Sequence, residues 1–377
     1  MANWKKVKLE EICTVEWGNS ELTKASYIPD GEYLAVSAAG CDGRIGHREH
    51  AKNTPVISAI GANCGRMFLP REDFTAIKNT ITITPVDGVS DGRYLYEVLT
   101  FTELPKRGGA QPFMSKGDIE SFKIGVPPLA EQRKIAEILR TWDEAIETAE
   151  AELKAKQDRK RGLMQKLFTP SAEGAKAGSI SKSKGNYKPL GALVTKIEGG
   201  GTPSKEVPGY WNGDIPLLTI KDLPNAHLGL TVDQITTNGL ESSSSKIVPA
   251  GIPVIATRMD VGRVVRCPVP VAINQDLRAI YPDKDMVDVD YIVQVLPTLE
   301  REFLRYSCGS TVMGIGIDDL KSVKIYLPPL AEQRKIAQVL QSEDAAIDSL
   351  KVKADLLRTQ KCGLMQKLLT GEVRVAA

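Results

Sequence analysis

"PPLAEQRKIA" stands at residues 127–136 and again, letter for letter, at residues 328–337. The two copies lie 201 positions apart, and that offset carries on without a gap: "GLMQKL" at 162–167 falls on 363–368, Leu139 on Leu340 and Ile146 on Ile347. Upstream, "DIESFKIGVPPL" (118–129) lies on "DLKSVKIYLPPL" (319–330). With small gaps "YLYEVL" (94–99) meets "YIVQVL" (291–296), Gly65-Arg66 meets Gly262-Arg263, and Pro85 meets Pro282. Self-similarity of this extent marks a tandem duplication of one globular unit plus one helix.

The repeated segment has a helical period. Ile336, Leu340, Ile347, Leu350, Ala354, Leu357, Leu364 and Leu368 recur at spacings of three and four, broken by Glu343 and Lys361. The first copy gives Ile135, Leu139, Trp142, Ile146, Ala149, Leu153, Leu163 and Leu167, broken by Lys156 and Lys160. Each Pro-Pro suits a first helical turn, where a missing N–H costs nothing, and Glu131 or Glu332 complements the positive helix end. From Leu129 to Leu167 the helix runs about 55 to 60 Å at about 1.5 Å per residue. A helix of that length cannot bury its own stripe, and its natural partner is the other copy, antiparallel to it. The sequence therefore divides into a first globular unit (1–126), a long helix (127–169), a flexible linker "PSAEGAKAGSISKSKGN" (170–186), a second unit (187–327) and a second long helix (328–370). Both units mix short β-branched runs, such as "TITIT" (80–84) and "IPVIAT" (252–257), with Gly/Pro/Asn turns and a short helix around residues 94–104, which reads as α/β or α+β.

Composition narrows the function only a little. A chain of 377 residues with 42% apolar and 25% charged residues buries a sizeable core, and a net charge of +2 does not by itself indicate nucleic acid. The six cysteines have no CxxC spacing, the start "MANWKKVKLEEI" has no apolar signal core, and no run approaches the ~18 apolar residues of a membrane span. These features predict reduced thiols in a cytoplasmic protein without a membrane segment. Catalytic motifs are thin. There is no GxxxxGK[ST], no GxGxxG between strand and helix, and no Asn/Asp-Pro-Pro-aromatic stretch for amino-methylation; Val126 and Leu327 precede the Pro-Pro pairs. His47 and His50 have the wrong spacing for ligands one helical turn apart, and Asp283 with Asp319 and Lys321 resembles a nuclease carboxylate set only superficially. No catalytic, cofactor or metal residue is therefore assigned in this chain.

What remains is polar and basic chemistry in loops. The first unit offers Lys24, Arg44, Asn63, Arg66, Lys78, Arg107 and Gln111, and the second Lys205, Lys221, Arg258, Arg263, Gln275, Arg278 and Thr311. Arginine reads guanine in bidentate fashion, Asn and Gln read adenine, and lysine neutralises phosphate. These fourteen residues are the expected contacts to double-stranded DNA.

The combination resembles the specificity (S) subunit of type I restriction-modification enzymes. The features that carry the resemblance are the duplicated decapeptide, the helix closings "GLMQKLFT" and "GLMQKLLTG", and the second unit's opening "GGGTPSKEVPGYWNGDIPLLTIKDL" (199–223). To these add "INQDLRAIYP" (273–282) and "CGSTVMGIGIDDLKSVKIYLPPLAEQ" (308–333). The first unit departs from this pattern, with "EWGNSELTKASYIPDGEYLAVSAAG" (16–40) in place of a GGTPS opening. The resemblance implies two target recognition domains joined by antiparallel coiled-coil helices, each domain reading one half of a split, asymmetric DNA site. It implies docking of two methyltransferase (M) subunits on the repeated helix starts, through Pro127, Pro128, Glu131, Gln132 and Arg133 and through Pro328, Pro329, Glu332, Gln333 and Arg334. Restriction-translocase (R) subunits would join that core, and S-adenosylmethionine, ATP and Mg²⁺ would belong to the partner subunits. The alternative is a coiled-coil scaffold whose globular ends bind proteins.

Overall fold

The structure is a computed structural model and describes residues 4–168, 186–306 and 314–376. The chain divides into two compact units, Met1–Glu152 with Leu350–Ala377, and Leu153–Ser349. The expected linker and Thr311 fall almost wholly outside the described residues; Asn186 alone of the linker is described, and it opens a strand.

The first unit runs through β1 (Lys5–Lys8), β2 (Cys13–Trp17), β3 (Tyr33–Ser37), β4 (Gly40–Ile45), β5 (Val56–Ser58), β6 (Met67–Phe68), β7 (Phe74–Ala76), β8 (Thr80–Pro85), a helix Gly92–Phe101, a helix Lys116–Glu120 and β9 (Lys123–Val126). One sheet has the order β2-β8-β5-β6 and a second the order β4-β3-β7, in which β3 and β7 are parallel. In β8 the apolar Ile81 and Ile83 are fully buried, packed in one cluster with Tyr94, Leu95 and Leu99 of the helix Gly92–Phe101. That helix begins two residues earlier than its apolar pattern indicates because the Asp91 side chain caps it, accepting from the Tyr94 N–H at 2.9 Å. β1 pairs antiparallel with β9, Lys5 opposite Val126, so the globular part opens and closes on neighbouring strands.

The second unit repeats this plan in β10 (Asn186–Pro189), β11 (Val194–Gly199), β12 (Trp211–Leu218), β13 (Asp233–Ile235), β14 (Lys246–Val248), β15 (Pro253–Ala256), β16 (Val264–Arg266), β17 (Val271–Ile273), β18 (Leu277–Pro282) and β19 (Lys324–Leu327). The sheets are β11-β18-β15-β16 and β13-β12-β17-β14, with β12 parallel to β17, and β10 pairs with β19. Where β14 lies against β17, the first unit has a single antiparallel bridge between His50 and Phe74. The duplication is thus structural as well as textual.

The two long helices are Leu129–Phe168 and Leu330–Leu369, and each contributes one stretch to each unit. In the first unit Ile135, Ala136 and Leu139 meet Leu364, Met365, Leu368 and Leu369 in the main core. In the second unit Ile336, Ala337 and Leu340 meet Leu163, Met164, Leu167 and Phe168. The repeated "GLMQKL" therefore closes the core of the unit to which the other helix start belongs.

The charges that break the heptads have partners across the helix pair. In the first unit Lys361 Nζ lies 2.7 Å from Asp143 Oδ1 and 3.3 Å from Glu97 Oε2, while Arg93 bonds the same two carboxylates. In the second unit Lys160 Nζ lies 2.5 Å from Asp344 Oδ1, Gln294 Nε2 donates to Asp344 Oδ2 at 2.9 Å, and Lys156 and Arg159 face the buried Glu343 at 3.6 and 3.3 Å. Such polar positions in an apolar seam fix register at a cost in stability. Glu97 has no exposure at all, and burial pushes its carboxyl above the usual range against the pull of Lys361 and Arg93.

Candidate nucleic-acid interface

In each unit one cleft opens where the central parallel strands end. In the first, a cleft of about 300 Å³ lies beyond β3 and β7, lined by Thr23, Lys24, Ser37, Asn63, Lys78 and Asn79 among others. In the second, a cleft of about 330 Å³ lies beyond β12 and β17, lined by Thr202, Lys205, Lys221, Met259, Asn274, Gln275 and Asp276 among others. The ends of parallel strands leave backbone termini and loop side chains uncovered, which makes them a recurrent place for ligand recognition.

The two clefts are built alike. Lys24 follows Thr23 and Lys205 follows Ser204 on the loop that leaves β2 or β11. Lys78 and Gln275 occupy the same step after β7 and β17, followed by Asn79 and Asp276. The loop must pass close over the strand end, and the glycines allow it. A Cβ on Gly200 would stand 1.9 Å from the Ile273 carbonyl oxygen, and one on Gly18 2.5 Å from the Ile77 carbonyl oxygen. The next N–H then donates across, Gly201 to Ile273 O at 3.2 Å and Asn19 to Ala76 O at 2.8 Å. The first unit's departure from a GGTPS opening thus keeps the one glycine the crossing requires.

Six of the sequence-derived DNA residues meet in these clefts: Lys24, Asn63 and Lys78 in one, Lys205, Lys221 and Gln275 in the other. Lys24 is held 2.5 Å from Asp42, whose carboxyl also accepts from Tyr27 at 2.7 Å. Burial opposes ionisation of Asp42, but the hydrogen bonds from Lys24, Tyr27 and Ser37 outweigh it and hold the carboxyl below the usual range. Gln275 Oε1 accepts from Thr202 at 2.6 Å, and Asn274 Nδ2 donates to Asp276 at 2.9 Å, so the polar floor of the second cleft is pre-positioned.

The other residues of that set sit apart. Arg44 donates to the Glu32 carbonyl at 3.1 Å and pairs with Glu72 at 3.0 Å. Arg66 lies over Phe68 at 5.4 Å, Arg107 pairs with Asp118, and Gln111 is exposed. Arg258 is 3.9 Å from Asp276 and Arg263 is 3.0 Å from Asp260, both on the turn after β15. Arg278 is half-buried, its Nη1 donating to the carbonyls of Gln275 and Leu277 at 2.9 and 2.8 Å. Burial and the neighbouring Arg258 lower its guanidinium from the ordinary value, with Asp276 opposing. Sequence reasoning passed over Thr202, Asn274, Asp276, Ser37 and Met259; Ser37 ends β3, Asn274 and Asp276 follow β17, and Thr202 stands on the loop after β11, a convergence only the sheet order reveals.

The repeated decapeptide also resolves into inward and outward letters. Gln132 Oε1 accepts from the Asp91 N–H at 3.0 Å while Nε2 donates to Val89 O at 3.1 Å and Pro127 O at 3.0 Å. Gln333 does the same with Asp288 N at 2.8 Å, Met286 O at 3.1 Å and Pro328 O at 2.8 Å. Pro127, Pro328 and both glutamines are buried; Pro128, Arg133 and Lys134 are exposed, as are Pro329, Arg334 and Lys335. Glu131 is buried and clasped by Arg374 in two bonds of 2.6 Å, whereas Glu332 is half-buried. Gln132 and Gln333 are thus occupied inside the fold, stapling each long helix to the cap of the short one, which removes their side chains from any docking surface.

Among the described residues no group of His, Cys, Asp and Glu has the geometry to hold a metal ion, and no helix is long and apolar enough to cross a membrane. A family profile described as type I restriction modification DNA specificity domain matches residues 1–156 and 186–357. The putative type I restriction enzyme MjaX specificity subunit of Methanocaldococcus jannaschii is 28% identical over 296 residues, covering 75% of this chain and 67% of that protein. The MjaVIII specificity subunit of the same organism is 25% identical over 369 residues, 91% of this chain and 85% of that one. The crystal structure of a type I restriction-modification system S subunit from M. genitalium superposes with a TM-score of 0.70 at 18% identity, covering 97% of this chain and 96% of that one, a likeness of fold.

Proposed function

This chain belongs to the family of type I restriction-modification DNA specificity subunits, and we propose that the two matching clefts are where its globular units each read one half of a split DNA site. One observation carries the residue-level reading: the same cleft, with a lysine after a hydroxyl residue on one wall and a Lys or Gln on the other, recurs at the same strand ends in both units. Lys24, Lys78, Lys205 and Lys221 neutralise phosphates, and Asn63 and Gln275 offer amides to base edges. The outward letters of the decapeptide, Pro128, Arg133 and Lys134 with Pro329, Arg334 and Lys335, form two equivalent docking strips for two M subunits. R subunits complete the complex. The chain itself is non-catalytic and cytoplasmic, and S-adenosylmethionine, ATP and Mg²⁺ are handled by the partner subunits.

The test is a pair of measurements on the assembled complex. Lys24→Ala and Lys205→Ala each lower the slope of log K against log salt by about 0.9, the share of one phosphate contact. Gln275→Ala relaxes the methylated motif in one half-site, and Asn63→Ala in the other. Unchanged slopes together with an unchanged motif overturn the cleft assignment, and binding of the ends to protein in place of DNA returns the chain to the scaffold alternative. A native mass with one M subunit overturns the two-strip docking.

A further inference from the structure

Met259 stands at the tip of the turn between β15 and β16, 70% exposed, with φ of +63°. A residue with a Cβ is disfavoured in the left-handed region, and asparagine tolerates it best. Among the described residues the other non-glycine positions there are Asn53, Asn79 and Asn212, which follow that rule. An unbranched apolar side chain held in water on a disfavoured backbone gains nothing for folding, so its place points to something outside the fold.

The turn cannot withdraw it. Asp260 N–H donates to Arg258 O at 2.7 Å, Arg263 N–H to Asp260 O at 3.2 Å, Gly262 N–H to Ala256 O at 3.0 Å and Ala256 N–H to Arg263 O at 2.8 Å. The Phe303 ring backs the turn so closely that a Cβ on Gly262 would stand 2.7 Å from it. Met259 lines the cleft that holds Lys205, Lys221 and Gln275, and the same turn carries Arg258 and Arg263, with side chains 53% and 43% exposed. In the matching turn of the first unit, "AIGANCGR" (59–66), the left-handed residues are the glycines Gly61 and Gly65, and no large apolar side chain is exposed.

We propose that Met259 is an apolar wedge that enters the base stack of the half-site read by the second unit, with Arg258 and Arg263 on the flanking phosphates; this rests on the cleft being a DNA interface. A thin thioether chain fits the gap between two bases, methionine is among the side chains that unstack a base step in this way, and guanidiniums beside it hold the backbone at that step. The first unit has no counterpart, so one half of the site is distorted and the other is not.

The experiment uses the full chain assembled with its methyltransferase subunits and duplexes carrying 2-aminopurine at successive positions of the second unit's half-site. Wild-type protein and Met259→Leu brighten one position several-fold. Met259→Gly, which relieves the backbone, abolishes that brightening and lowers specific affinity about tenfold, the order of one mismatched base pair, with non-specific binding and thermal midpoint not reduced. If no brightening depends on Met259 while specific binding persists, the wedge is wrong and the DNA interface stands. A lowered midpoint for Met259→Gly makes Met259 a structural residue and overturns the proposal, and absence of specific binding by the wild type overturns the interface reading beneath it.

Discussion

Replacing Gln132 or Gln333 by alanine separates the part of the repeated decapeptide that folds the chain from the part that meets partners. Gln333 has no exposure, and its amide accepts from Asp288 N at 2.8 Å and donates to Met286 O at 3.1 Å and Pro328 O at 2.8 Å. Alanine strands one backbone donor and two acceptors beneath the helix start. At about 1 kcal/mol for each net hydrogen bond, the loss comes to about 3 kcal/mol, larger where water does not reach the orphaned groups. Gln132, 1% exposed with the same three partners by position, carries the same cost in the first unit. Arg133→Ala and Arg334→Ala change stability by no more than about 0.5 kcal/mol, because both side chains are exposed and the Arg334–Asp288 contact of 3.6 Å is a surface pair. Denaturant unfolding distinguishes the units, since Trp211 is the one tryptophan of the second and Trp4, Trp17 and Trp142 belong to the first. Gln333→Ala should shift the Trp211 transition and Gln132→Ala the others, while the arginine variants weaken M-subunit binding with both transitions in place. Equal stability of the glutamine and arginine variants would refute the buried staple, and unfolding by Arg133→Ala or Arg334→Ala would make the outward letters structural.

Lys361→Met leaves Glu97 and Asp143 with Arg93 as their remaining cation and should destabilise the first unit by about 3 kcal/mol, partly restored when Glu97→Gln is added; additive effects would refute the coupling. Because Glu97 is raised in the folded state, its ionisation cost is present at neutral pH and relieved as pH falls from the raised value towards the ordinary one. The stability of the wild type relative to Glu97→Gln should therefore increase on acidification through that window, and a difference independent of pH counts against the buried carboxylate. Gly200→Ala should cost the second unit about 1–3 kcal/mol, because its Cβ meets the Ile273 carbonyl oxygen on backbone that cannot shift cheaply; an unperturbed Trp211 transition would contradict the close crossing.

The tandem repeat, the two helices and the mixed character of the units were legible in the sequence because they rest on local periodicity and on identity at a fixed offset, which no tertiary detail can alter. The helix starts after Pro128 and Pro329 follow from the imino acid's own geometry. The chain's family was legible for the same reason, since its motifs are contiguous. The ion pairs were not. Lys156, Lys160, Glu343 and Lys361 look like interruptions of a heptad until the antiparallel pairing sets Lys160 against Asp344 and Lys361 against Asp143, partners 184 and 218 residues away. Likewise the decapeptide's identity pointed to a helix start and to docking without dividing its letters between them, whereas three-dimensional placement turned Gln132 and Gln333 inward and left Arg133 and Arg334 outside. The clefts depend on β3 lying parallel to β7 and β12 to β17, pairings between strands separated by whole loops, so a list of polar loop residues held six of their lining groups without showing which belonged together. Which residues a chain contains is written locally; which of them share a cleft is decided by non-local strand pairing, and that is a property of the packed core.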